Sequence, residues 1–308
     1  MKKKSLVLTF LFLILLVGCS KSTPKTETTT DYHYTFTDDL GNTITLNKKV
    51  ENVVSLYGSY SQVWLLAGGN LIGVTDDVFE RDLGVPADTT IVGSTKTANV
   101  ELILSLNPDL VLLNPTIGEQ VEVGKTLQES GIPCAFFDEE VFDDYLNMLK
   151  IATDLTEKPE NYQEYGLAVK ERINQILANT PSAEGKEILL LRAYSSGVKA
   201  RDNQNMTGHM LDDFKTINIA SKYPSLLEDL SLENIIVEDP DYIFVTTMGD
   251  SDAAIASLQS MIESDPAWKQ LTAVKEGRLI ILPKDLFHYK PNDKWDKAYE
   301  YIAEIFNQ

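Results

Sequence analysis

The sequence predicts an α/β protein of two Rossmann-like lobes, each with a central parallel sheet, joined by a single long α-helix. Three observations predict it. Short apolar runs alternate with amphipathic helical patterns; the alternation breaks once at a long helical stretch and then restarts; and one helix–turn–strand unit occurs twice, beginning at Asn99 and again at Ser231.

The chain opens with Lys2, Lys3 and Lys4, an apolar run from Leu6 to Val17, then Gly18 and Cys19. Residues 1–18 read as a signal peptide, because the run falls short of the roughly 20 residues that a helix needs to cross a bilayer and ends on a small residue suited to cleavage. From Ser20 to Thr30 the sequence SKSTPKTETTT has no large apolar residue to bury, so residues 19–33 form a flexible tether.

The first lobe spans residues 34–157. YTFTDDLGNTITL, from Tyr34 to Leu46, alternates around an acidic, Gly-Asn turn and predicts a hairpin. VVSLY, DLVLLN and CAFF then read as strands, each leading into a helix. Residues 158–180 give the connecting helix, with Tyr162, Tyr165, Val169, Ile173 and Ile176 at helical spacing after Pro159. The second lobe, residues 181–308, repeats the scheme with the strands ILLLRAY, YIFVTTM and RLIILP.

The repeat aligns NVELILSLNPDLVLLN with SLENIIVEDPDYIFVT, pairing Glu101 with Glu233, Ile103 with Ile235, and Pro108-Asp109 with Pro240-Asp241. Each lobe thus carries a short helix, a Pro-Asp turn and a buried strand.

Composition narrows the function. With 43% hydrophobic residues the chain can bury two cores, and with Cys19 at the processed terminus only Cys134 remains, so no intramolecular disulfide forms. The formal charge of −19 becomes −22 once Lys2, Lys3 and Lys4 leave with the signal, which disfavours nucleic acid and suits cationic partners. Gly118 to Thr126 resembles a phosphate loop, but five residues separate its glycines where four are needed, so it reads as a helix with Lys125 exposed. Nucleophile elbows, zinc-binding His-Glu-x-x-His and paired cysteines are missing, and His33, His209 and His288 are too scattered to cage a bare metal. Acid/base carboxylates such as Asp138 or Glu139 leave a surface-anchored two-domain enzyme as an alternative, and an adhesin with an empty cleft is a third.

In such folds ligands bind beyond the carboxyl ends of the strands. Those positions hold Tyr57, Ser59, Tyr60, Thr95 and Lys96 in the first lobe. In the second they hold Arg192, Tyr194, Lys199, Arg201, Asn203, His209, Thr247, Met248, His288 and Tyr289. Tyr, Met and His suit a metal-bearing ring, and Lys and Arg suit its carboxylates.

From Tyr34 onward the chain resembles the class III periplasmic binding proteins that serve importers of iron-siderophore, haem and cobalamin, on TDDLGNTITL, the two repeat units and the closing HYKPNDKWDKAYEYIAEI. The start resembles a bacterial lipobox, which implies a lipid on Cys19 and a membrane-anchored, extracytoplasmic location. The family implies a rigid pair of lobes, no cofactor and no catalysis, an ABC permease with its ATPase as partner, and docking to permease arginines through Glu101 and Glu233. The implied ligand is a small-molecule metal complex, a siderophore or haem, with cobalamin or another metabolite as alternatives. If it is haem, His209, His288, Tyr57, Tyr60 and Met248 are the candidate axial ligands. The tyrosines in SLYGSYSQVW depart from the small residues common in that loop.

Overall fold

The computed structural model describes residues 32–308, so the signal peptide, most of the tether and Cys19 lie outside the described residues. A hairpin of β1 (Tyr34–Thr37) and β2 (Thr43–Leu46) opens the fold. Its turn is held by the buried Asp38 carboxylate, which accepts from the amides of Leu40 and Asn42, and it closes through Gly41 at φ 81°. Phe36 stacks on Phe137 at 6.4 Å, pinning the hairpin to the first lobe.

The first lobe is a five-stranded parallel sheet in the order β5-β4-β3-β6-β7, made of β3 (Val53–Ser55), β4 (Leu71–Val74), β5 (Thr90–Ile91), β6 (Leu110–Leu113) and β7 (Cys134–Phe136). Strands β3, β6 and β7 are buried along their whole length, as a sheet covered on both faces requires. The helices α1 (Gly58–Leu66), α2 (Val100–Leu106), α3 (Gly118–Glu129) and α4 (Phe142–Thr156) cover it.

The second sheet runs β10-β8-β11-β12 in parallel, with β9 antiparallel to β8; its strands are β8 (Glu187–Tyr194), β9 (Gly197–Arg201), β10 (Ile217–Asn218), β11 (Tyr242–Thr247) and β12 (Leu279–Ile281). Sequence pattern missed β4, β5, β9 and β10. β5 and β10 have two residues each, β4 carries Gly73, and β9 (GVKAR) has only Val198 and Ala200 apolar, so none shows an apolar run long enough to read.

The helix between the lobes is continuous but not uniform: Pro159–Tyr162 and Ala168–Ala178 flank a π-helical turn, Gln163–Leu167. Pro159 stands at its first position, where the missing N–H has no partner to lose. Gly166 sits where the turn meets Leu146 and Leu149, and a Cβ there would come within 3.0 Å of the Leu146 side chain. The C-terminal helix Trp295–Phe306 packs along it, and one apolar core containing Trp64, Tyr145, Ile173, Leu190, Trp295 and Tyr299 runs through both lobes.

The repeat has a physical explanation. Both short helices, α2 and Leu232–Glu238, end on a left-handed residue before the proline, Asn107 at φ 48° and Asp239 at φ 45°. The aspartate after each proline then reaches back to the start of the neighbouring strand. Asp109 accepts from the amides of Glu51 and Asn52 at 3.0 and 2.8 Å, and Asp241 from that of Glu187 at 3.1 Å. Each Pro-Asp turn thereby fastens the first strand of its sheet. Ile103 and Ile235 are fully buried, while Glu101 and Glu233 point to solvent from the first turns. Gly118 to Thr126 lies inside α3, with Lys125 exposed and paired to Glu122 at 2.7 Å.

Candidate ligand-binding cleft

Strand order fixes where a ligand can sit. In the first sheet the chain leaves β3 on one side toward β4 and returns on the other to β6; in the second it leaves β8 toward β10 and returns to β11. A crevice opens where the connections diverge, above the ends of β3 and β8. Those ends carry Tyr57 to Tyr60 and Arg192 to Tyr194.

A cavity of about 680 Å³ occupies this crevice, lined from the first lobe by Tyr57, Ser59, Asp77, Glu80, Arg81, Thr95 and Lys96, among others, and from the second by Met248, Lys284, His288 and Tyr289. Seven sequence-predicted residues therefore meet there: Tyr57, Ser59, Thr95, Lys96, Met248, His288 and Tyr289.

Arg81 is central to the floor. Its guanidinium donates to Ser59 Oγ at 3.0 Å and to the carbonyl of Lys290 at 3.2 Å, and lies over the Tyr289 ring at 4.9 Å. Lys284 Nζ also lies 4.9 Å from that ring and donates to the Gly249 carbonyl at 2.9 Å. The acidic lining groups are already engaged. Asp77 accepts from the Gly58 amide at 2.7 Å and Thr75 Oγ1 at 2.6 Å, and Glu80 accepts from the Tyr289 hydroxyl at 2.5 Å.

The cations have neutral acceptors only. Among the described residues no carboxylate lies within 4.0 Å of a charged nitrogen of Arg81, Lys96, Lys284, Arg192, Lys199 or Arg201. The β8–β9 register sets Lys199 opposite Arg192 and Arg201 opposite Leu190, so these three cations share one sheet face with Tyr194. Burial, then the neighbouring Arg201, holds Arg192 below the usual Arg range, and Arg201 Nε is buried without an acceptor.

Burial, then the charges of Arg192 and Lys284, pushes His288 down to about 4, leaving a neutral imidazole at pH 7. Burial, then Asp77, pushes the Tyr57 hydroxyl up to about 12.

Other predicted residues lie outside the cavity lining: Arg192, Tyr194, Lys199 and Arg201 stand beside it on the β8–β9 face. Tyr60 is fully buried, its hydroxyl donating to the Phe137 carbonyl and accepting from Asn114 Nδ2 at 2.8 Å; it supports the loop from below. Thr247 is buried against Ser251, and Asn203 bonds Asp212 and Asn218 within its own lobe. His209 lies on the helix Met206–Asp213 and lines a separate cavity of about 370 Å³ with Lys170, Asp213 and Tyr299, against the connecting and C-terminal helices. Its helical phase turns it away from the cleft. Glu139 is 1% exposed, and neither it nor Asp138 lines the cavity, so the acid/base alternative loses both of its named carboxylates. Glu80 and Arg81 belong to the polar segment Asp76 to Arg81 that the sequence places after a strand, whereas Lys284 was not singled out. It too lies in a segment that follows a strand, which is the signal that could have found it.

A family model described as periplasmic binding protein matches residues 53–286. The chain belongs to the periplasmic binding protein family. Among curated relatives, the uncharacterized ABC transporter substrate-binding lipoprotein YvrC of Bacillus subtilis is 24% identical over 304 residues, covering 93% of this chain and 92% of YvrC. The Fe(3+)-citrate-binding protein YfmC of the same organism is 24% identical over 259 residues, covering 80% of this chain and 78% of YfmC. Among solved structures, S. aureus IsdE complexed with heme superposes with a TM-score of 0.69 at 17% identity, over 85% of this chain and all of IsdE. The structural match agrees with the two-lobed α/β fold.

Proposed function

We propose that this periplasmic binding protein captures an anionic ferric chelate in its interlobe cleft and delivers it to an ABC permease driven by a separate ATPase. One observation carries the reading: in a chain of formal charge −19, the cations around the cleft are left without carboxylates, while the acids in its lining are bonded internally. Isolated cations held partly out of water are costly unless an anion arrives. A ferric complex rich in carboxylate or other negative oxygen donors supplies that charge, and arginine forks match it. The ferric-citrate-binding relative supports this class.

Haem is the second reading, favoured by the neutral His288 imidazole in the lining beside Tyr289. Glu101 and Glu233, exposed at matched places on the two lobes, are the proposed docking pair for permease arginines, and Cys19 is the proposed lipid attachment on the extracytoplasmic face. The ligand leaves unchanged, because the protein's task is capture and hand-over.

Absorbance spectra of residues 20–308 titrated separately with haemin and with ferric citrate separate the readings. A ferric-citrate charge-transfer change that saturates, without a Soret shift for haemin, supports the chelate. A saturable Soret shift that disappears in His288→Ala supports haem.

A further inference from the structure

Between the last strand and the C-terminal helix, Tyr289 to Asn292 leaves the second lobe and plugs into the first. Lys290, nearly buried, donates to the carbonyl of Glu139 and to Glu140 Oε1 at 3.0 Å. The other oxygen of Glu140 accepts from the amide of Met206 at 2.9 Å, so one carboxylate ties two segments of the second lobe to the first. Asn292, fully buried at φ 54°, donates to the Ser59 carbonyl at 3.0 Å and to Gln62 Oε1 at 2.8 Å. Asparagine is among the few side chains that adopt that left-handed backbone readily. The Lys290 carbonyl, in turn, accepts from Arg81 on the cleft floor.

Beneath this strap lies Glu139, 1% exposed; the Trp295 indole N–H faces its carboxylate and favours the charged form, but outside good hydrogen-bond geometry, so the carboxylate oxygens are otherwise unpartnered. The groups around Glu139 are Lys290 from the strap, Trp295 from the C-terminal helix, Asp144 and Tyr145 from α4, Tyr57 and Tyr60 at the start of α1, Arg81 from the cleft loop, and its own neighbours Asp138 and Glu140. Burial, opposed by Lys290, pushes the Glu139 carboxyl up to about 8.

We propose that Lys290 is a positioning residue for ligand capture: with Asn292 it latches the lobes at a set separation before ligand arrives and holds Arg81 on the cleft floor, and the latch weakens when the Glu139 carboxyl ionises. Opening the joint hydrates Glu139 and returns it to the ordinary Glu range. Its proton affinity is therefore higher in the latched form, and latching takes up a proton. The latched form is fully favoured below the ordinary Glu range. It weakens by up to about tenfold per pH unit as pH rises toward 8, and levels off above that.

The test needs no ligand. Hydrogen exchange of residues 20–308, corrected for intrinsic rates, is compared at pH 6 and pH 8.5 on peptides covering Tyr289 to Trp295. Wild type should exchange at least tenfold faster at the higher pH. Lys290→Met should exchange fast at both, and Glu139→Gln should lose the pH dependence. Should Lys290→Met not fold, Glu140→Ala, at a half-exposed side chain, removes the carboxylate to which Lys290 and the Met206 amide donate and should also exchange fast at both. Exchange independent of pH in wild type and unchanged in the folded latch variants overturns the proposal. A second arm rests on the cleft reading: Lys290→Met should weaken ferric citrate binding at least tenfold, with partial rescue by Lys290→Arg. If ferric citrate fails to bind wild type, only the functional reading falls, because the exchange result stands apart from it.

Discussion

Replacing Arg201 by methionine should raise the stability of the unliganded protein while weakening ligand binding. Arg201 shares a sheet face with Arg192 and Lys199, has no carboxylate within ion-pairing distance, and buries an Nε that has no acceptor. An unsatisfied buried donor costs about 1–3 kcal/mol, and removing a like charge beside Arg192 adds relief that solvent largely screens at this half-exposed position. Methionine keeps much of the apolar volume, so a gain of about 1–2 kcal/mol is expected. For a protein of this size that corresponds to roughly 2–6 °C in Tm. Ligand affinity should move the other way. A lost charge-assisted hydrogen bond to an anion is worth about 1.5–3 kcal/mol, or roughly 10- to 150-fold in Kd. Differential scanning fluorimetry of wild type and Arg201→Met, with and without ferric citrate, reads both effects. A lower Tm without ligand, together with an unchanged ligand-induced shift, would mean that the guanidinium is structural and takes no part in ligand binding.

Three further outcomes follow from the same geometry. Asp109→Asn should lower stability by about 2–3 kcal/mol at pH 7, since the buried carboxylate accepts from two backbone amides and pairs with Lys48 at 2.5 Å. Burial opposes ionisation of Asp109, but Lys48 and those amides outweigh it and hold the carboxyl below the usual range. Its stabilisation is therefore present above the ordinary Asp range and lost as pH falls through its lowered value, and the variant's acid denaturation curve should lack that component. Cys134, buried and pushed up to about 12 by burial alone, should resist thiol reagents in the native protein at pH 8 and react only on unfolding. The double variant Glu101→Arg with Glu233→Arg should abolish iron uptake in cells while leaving affinity for the ferric ligand within twofold, as uptake assays and titration would show.

The fold was legible where local pattern and tertiary need coincide. The repeat announced itself because Pro108-Asp109 and Pro240-Asp241 do the same job, ending a helix on a left-handed residue and fastening the sheet's first strand. The connecting helix showed its apolar stripe, though not its π-helical turn, which depends on how Gly166 meets α4. The strands' carboxyl ends pointed to Tyr57 and His288, since strand order alone determines the crevice. Residues whose place depends on helical phase or on the approach of the other lobe were not legible. His209 rotates to the rear face with its helix, and Arg81, though its segment after a strand was legible, owes its contacts to Tyr289 and the Lys290 carbonyl from the second lobe. The strap of Lys290 and Asn292 is likewise a contact between segments far apart in sequence, with nothing local to mark it.

The central claim, an anionic iron complex held by unpaired cleft cations, is tested most directly by isothermal titration of residues 20–308 with ferric citrate at low and high sodium chloride. Saturable binding of the ferric complex that weakens as salt rises is expected, because charge pairing across the cleft contributes to affinity. Binding indifferent to salt, or a flat titration with ferric citrate alongside saturable binding of an uncharged ligand, would contradict it.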